Sequence, residues 1–180
     1  NPDVNVITYN EFATSVNILN IIKDQDYDFI IDGTDNFAAK FLINDACVLA
    51  KKPFSHAGII RFHGQLTTYI PDNNTPCYRC IFQTPPPEGM VPTCREAGVL
   101  GVMGGVVGTL QATEAIKYIL GLGQTLAGYL LTYDGLKMEF KKIKINHNKR
   151  CGVCGEHPTI TTLIDYANPS CDLKTGKLNG

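Results

Sequence analysis

Two cysteine pairs carry the clearest chemistry in this chain: Cys77-Tyr78-Arg79-Cys80 and Cys151-Gly152-Val153-Cys154. Each spacing forms a knuckle that offers two thiolates to one centre. Four such sulfurs satisfy the closed tetrahedral coordination of structural zinc. Soft thiolates also favour Zn²⁺ over hard cations. The alternative is a pair of redox motifs or a chance spacing. Redox cysteines sit at helix N-termini, where the dipole lowers the thiol pKa. Neither pair here is expected to open a helix. Gly152 and Gly155 are expected to permit the tight turn of the second knuckle, and Lys149 and Arg150 to offset thiolate charge. A centre closed by Cys77, Cys80, Cys151 and Cys154 leaves no open position, so it predicts architecture and not reaction type.

A second cluster, Asp32-Gly33-Thr34-Asp35-Asn36, lies where a short apolar run (Tyr27 to Ile31) gives way to a helical pattern. In α/β sheets ligands bind at the carboxyl ends of strands. Free N–H groups at a helix start favour phosphates, and a carboxylate there can hold Mg²⁺. The plain alternative is a helix cap supplied by Thr34 or Asp35. Cys94, beside Arg95 in a proline-rich stretch, reads either as a reactive thiol, its thiolate favoured by the cation, or as an idle surface cysteine.

The elements that would position these groups follow from periodicity. Strands are expected at Val4 to Tyr9, Tyr27 to Ile31, Phe54 to Ile60 and Gln65 to Ile70, and at Tyr129 to Tyr133 and Lys137 to Ile145 around an Asp134-Gly135 hairpin turn. Helices are expected over Glu11 to Lys23, with Phe12, Val16, Leu19 and Ile22 inward, from Asn36 to about Lys51, and over Gly101 to Leu120, capped by Gly121. Gly104, Gly105 and Gly108 suggest close packing of the last helix against a neighbour. Residues 83–97 read as an exposed loop. Early strands alternate with helices and later ones form hairpins. This predicts an α/β class: a Rossmann-like mixed sheet, parallel then antiparallel, with a structural zinc site.

Composition narrows the function classes. The net charge of -1 exerts no global pull on nucleic acid or anionic membrane. No apolar run reaches the roughly 20 residues that span a bilayer. The first residues lack the basic start and apolar core of a signal peptide, so a cytoplasmic protein is expected. Seven cysteines, an odd count, argue against a fully paired disulfide framework. Of the remainder, Cys47 falls on an inward helix face, Cys171 lies in a tail (167–180), and His56 and His63 receive no role. The chain opens at Asn1-Pro2-Asp3 inside an expected βα unit and without Met, so a fragment of a longer protein is expected.

Taken in order, DGTDN, Gly58 to Gln65 (GxxxxxxGQ), CYRC, Thr93 to Val99 (TCREAGV), Gly108 to Lys117 (GTLQATEAIK) and CGVCG resemble the ThiF/MoeB/HesA family. These are bacterial relatives of ubiquitin-activating enzymes, and the resemblance runs over about residues 1–166. It implies an enzyme that binds ATP and Mg²⁺ and adenylates the C-terminal glycine of a ubiquitin-fold sulfur carrier with a diglycine tail, for thiamine or molybdopterin synthesis. It implies a Mg·ATP role for Asp35, a nucleotide contact for Asn36, structural zinc on the four cysteines, a crossover-loop role for Cys94, and a homodimer. The family's glycine-rich nucleotide loop is absent from this sequence, and Lys40 stands where an arginine is common. The chain alone is therefore expected neither to bind ATP tightly nor to adenylate. The rival reading is a non-catalytic zinc-stabilised module for protein binding or dimerisation.

Overall fold

The computed structural model describes residues 1–71, 74–87, 90–91 and 94–166, with the side chains of Cys94 and Arg95 outside that description. Five strands form one sheet in the order β1 (Ile30–Asp32), β2 (Phe54–Ile60), β3 (His63–Tyr69), β4 (Tyr129–Asp134) and β5 (Glu139–Lys144). β1 and β2 pair in parallel, and every later pair is antiparallel. The mixed sheet is thus as the sequence predicts. Its β4–β5 turn closes on Asp134 Oδ1, which accepts from Leu136 N (3.0 Å) and Lys137 N (3.3 Å).

Alternate side chains of the central strands feed two cores. On one face Phe54 and Tyr69 join Ile18 and Ile22 of α1 (Ile18–Asp24), Leu42 to Val48 of α2 (Phe37–Leu49), and the cysteine pairs. On the other, Ala57 and Leu66 meet Val107 and Leu126 beneath α5 (Gly101–Leu120). Two helical turns, α3 (Tyr78–Ile81) and α4 (Cys94–Ala97), punctuate the connection between β3 and α5. Gly121 ends α5 with φ 63°, the left-handed cap expected of it.

Several expectations are corrected. Val4 to Tyr9 is not a strand: β1 pairs only with β2, and the segment joins no ladder. The first helix begins at Ile18, not Glu11. Asn17 accepts from Thr14 N (2.7 Å) and donates to the Phe12 carbonyl (2.9 Å), and this side chain competes with the helical ladder. Phe12 and Val16 are consequently 91% and 83% exposed rather than inward. The glycines of α5 do not explain its close packing, because nothing lies within 4 Å of a Cβ built at Gly104, Gly105 or Gly108. The close approach comes from the sheet: a Cβ at Gly64 of β3 would sit 2.6 Å from Val107. The 83–97 stretch contains the α4 turn. Cys171 and the tail lie outside the described residues.

Candidate functional site

The four cysteines of the two knuckles converge. Their sulfurs all lie within 4.8 Å of one another. Cys77 and Cys151 are 3.7 Å apart, Cys80 and Cys154 3.5 Å, and Cys77 and Cys154 3.3 Å. A tetrahedron with zinc–sulfur bonds of about 2.3 Å has edges of about 3.8 Å, so the spacing is that of a cage for one such ion. Cys77 and Cys151 are buried, while Cys80 and Cys154 are half-buried. Crowding pulls the Cys151 thiol far below its ordinary range, through hydrogen bonds from Cys154 first and then Cys77 and Cys80. It pushes the Cys77 thiol far up, through Cys151 first.

Local structure explains the convergence. Cys77 is the N-cap of α3, contrary to the expectation that neither pair opens a helix, and the helix is a single turn. In the second knuckle neither glycine has positive φ, so conformational freedom is not its role. Space is: a Cβ at Gly155 would lie 2.5 Å from the Cys151 carbonyl and 2.6 Å from that of Lys149. Lys149 does not serve the sulfurs either, since its Nζ is 2.9 Å from Glu156.

The first knuckle is also fastened to α2. Arg79 makes a bidentate pair with Asp45, Nε to Oδ1 at 2.7 Å and a terminal nitrogen to Oδ2 at 2.8 Å. It donates to the Gln83 carbonyl (2.8 Å) and to the Tyr166 hydroxyl, and lies over the Phe41 ring. Tyr78 N donates to Asn44 Oδ1 (2.8 Å).

The Asp32–Asn36 turn lies at the other end of α2, where β1 ends. Asn36, not Thr34 or Asp35, caps the helix, its Oδ1 accepting from Ala39 N at 2.8 Å. Asp35 is exposed. The turn is held from below by Asp32, 1% exposed, whose Oδ1 accepts from Thr34 N (2.9 Å) and Thr34 Oγ1 (2.6 Å). Its Oδ2 faces Lys40 Nζ at 3.3 Å and His56 Nδ1 at 2.7 Å, the latter poorly aligned for a hydrogen bond. Burial works to raise the Asp32 pKa, but contact with His56, the Lys40 charge and the Thr34 hydroxyl outweigh it and hold the carboxyl down at about 2. His56 is also shifted down: burial foremost, with Lys40, lowers its pKa against the pull of Asp32.

Lys40 is therefore buried on Asp32 and the Ala57 carbonyl, which corrects its candidacy as a phosphate contact. One helical turn past Asn36 it faces inward, where Asp32 supplies the opposite charge. Reading the sequence alone missed this trio. Its signal was available only through pairing, because Asp32 and His56 are register partners between parallel β1 and β2. Cys94 opens α4, which leans on β2, and the bridge of Arg61 to Val99 anchors the residues that follow it. Cys47 is fully buried and its thiol is pushed up, by burial first, consistent with a core role.

A mixed sheet flanked by helices, with a strand-end acidic turn and a four-cysteine cluster, defines an α/β protein with a parallel-then-antiparallel sheet. The ThiF family profile matches residues 1–153, and the chain belongs to that family. It is 46% identical to the sulfur carrier protein adenylyltransferase of Thermus thermophilus over 92% of this chain and 62% of that protein. It is 43% identical to the adenylyltransferase and sulfurtransferase MOCS3 of Aedes aegypti, over 97% of this chain and 39% of that one. The chain thus spans under two thirds of these relatives' own lengths. Among solved structures, Escherichia coli MccB with ATP shares the fold at a TM-score of 0.64 and 17% identity, over 80% of this chain and 44% of that one. Among the described residues, no helix is long and apolar enough to cross a membrane.

Proposed function

We propose that this chain is the part of an adenylyltransferase that presents Asp35 and Asn36 to Mg·ATP and activates the C-terminal glycine of a ubiquitin-like sulfur carrier. The observation that carries this reading is the Asp32-pinned turn. It exposes Asp35 at the carboxyl end of β1 and at the head of α2, in a chain close in sequence to a sulfur carrier protein adenylyltransferase. A Cβ at Gly33 would meet nothing within 4 Å, so the turn is open on that side. The carrier's terminal carboxylate attacks the α-phosphorus and pyrophosphate leaves. Mg²⁺ held at Asp35 would neutralise charge on the triphosphate. The chain's own contribution is placement: Asp32 fixes the turn, Asn36 caps the start of the helix that follows, and the fixed geometry spares reorganisation during the reaction.

Cys77, Cys80, Cys151 and Cys154 hold a structural Zn²⁺ in this reading, supported by sulfur separations that match a tetrahedral cage. Cys94 is the candidate for covalent attachment of the activated carrier, and Cys94→Ser removes such an adduct. A cytoplasmic setting suits five free thiols among the described residues. Exposed Val102, Ile116 and Ile119 on α5 favour a dimer.

The test is ATP–pyrophosphate exchange with a diglycine-tailed carrier, using the product of the full reading frame. Asp35→Ala should lower exchange about a hundredfold or more, the usual cost of removing a charge-stabilising group. No carrier-dependent exchange in the unaltered protein would refute the assignment. The 180-residue chain alone should show no micromolar ATP affinity by calorimetry, since its sequence holds no glycine-rich phosphate loop.

A further inference from the structure

We infer that His147 is a hydrogen-bonding guardian of the cysteine centre, donating its Nε2–H to the Cys154 sulfur and so retaining the bound metal. The inference rests on the zinc reading above.

The two buried sulfurs, Cys77 and Cys151, are enclosed by the apolar core around Val48, Phe54 and Tyr69. The two half-buried ones, Cys80 and Cys154, are roofed by a segment of two residues. Asn148 N donates to the Cys80 sulfur at 3.4 Å. His147 Nε2 lies 3.4 Å from the Cys154 sulfur and 3.0 Å from the Cys154 carbonyl oxygen. A carbonyl only accepts, so the tautomer that satisfies this contact carries its proton on Nε2. The same proton then faces the sulfur. His147 stands outside the set of mutually close metal-ligating atoms, which contains the four sulfurs alone. Its position is that of a partner to one ligand rather than of a fifth ligand.

The chemistry calls for such donors. A Zn²⁺ bound by four thiolates carries a net charge of about -2, and N–H groups aimed at the sulfurs spread that charge. Of the two cations beside the second knuckle, Lys149 is engaged by Glu156 and Arg150 is exposed. His147 and Cys154 also line an open cleft of about 370 Å³, together with Lys51, Tyr69 and Asn74. Cys154 is thus the cysteine that borders the cleft from which a chelator or electrophile would approach, and His147 borders the same cleft.

The experiment uses the purified chain as isolated with zinc, the metal content measured first. Release is followed with the chromogenic chelator 4-(2-pyridylazo)resorcinol. His147→Ala should release zinc about tenfold faster, the usual order for losing a partner of a metal ligand. His147→Gln, which keeps an N–H donor at similar reach, should restore the slow rate. Zinc K-edge absorption of the unaltered chain should report four sulfurs. Equal release rates for His147→Ala and the unaltered chain, both fully loaded, would overturn the inference. So would a shell of three sulfurs and one nitrogen, which makes His147 a ligand. An unaltered chain that contains no zinc would instead overturn the metal reading beneath it.

Discussion

Exchanging Asp32 for Asn tests the buried trio that supports the Asp35 turn. The carboxylate is 1% exposed and sits 3.3 Å from Lys40 Nζ. At an effective dielectric of about 20 that separation corresponds to roughly 5 kcal/mol of attraction before desolvation is charged against it. The carboxyl is held at about 2 against an ordinary 3.8, and a shift of that size is worth on the order of 2 to 3 kcal/mol at neutral pH. Asp32→Asn keeps the shape and one acceptor for Thr34 but leaves Lys40 as a buried cation without its carboxylate. We expect a loss of about 3 kcal/mol.

Lys40→Met should cost a similar amount, and the double variant should cost at least 1.5 kcal/mol less than the sum, because the second change removes the stranded charge. The assay is urea unfolding followed by circular dichroism at fixed zinc. The pH dependence has a definite sign. A carboxyl whose folded pKa is depressed contributes fully above its unfolded value near 4, and the contribution is lost as pH falls toward 2. The gap between the unaltered chain and Asp32→Asn should therefore be flat from about pH 7 to 5 and narrow below about 4. Acid also protonates the thiols, but that acts on both proteins and cancels in the difference. Additive single costs, or a gap that does not narrow in acid, would refute the assignment of Asp32 and Lys40 as a coupled pair.

Two glycine substitutions separate space from flexibility. Gly155→Ala places a Cβ 2.5 Å from the Cys151 carbonyl, so it should destabilise by about 1 to 3 kcal/mol and lower the zinc content of the purified chain, both read directly by urea unfolding and metal analysis. Gly104→Ala, in the first turn of α5, meets nothing within 4 Å, so it should stabilise by up to about 1 kcal/mol in thermal or urea melts, and a loss there would mean that the α5 face is covered in solution.

What the sequence revealed was what period and spacing encode. The knuckles, the Asp134-Gly135 hairpin, the span of α5 and the inward place of Cys47 are all set by local pattern, and all were legible. The N-terminal residues misled because their alternation had no partner strand to pair with, and because a single Asn17 side chain delays the helix by claiming backbone groups. Lys40 misled for a different reason. A lysine four residues past a cap reads as a surface charge unless the strand that supplies its countercharge is known to lie beneath it. His147 was invisible in the same way, since only the folded knuckle brings its ring onto Cys154. Charges and dipoles that act across the sheet or across a knuckle leave no mark on a linear pattern.

The same geometry relates the two sites to each other. They lie at opposite ends of α2, whose 13 residues span about 20 Å, so the four-cysteine cluster does not touch the Asp35 turn. Two routes join them: the helix itself, and Tyr78 of the first knuckle, whose ring lies 4.0 Å from that of His56 beside Asp32. At the far end Ala46, Cys47 and Val48 share a core with Cys77 and Cys151. In the middle Asp45 grips Arg79, and Asn44 accepts from Tyr78, both residues lying between the two cysteines of the first knuckle. At the near end Lys40 reaches Asp32, which holds the turn. These links combine apolar packing at one end with polar contacts in the middle and at the other, so α2 is constrained along its length rather than at one point. The first knuckle therefore sets the seat of the helix, and the seat of the helix sets where Asp35 is presented. A helix fixed this way carries position without needing to move, which is what a site that works by placement requires.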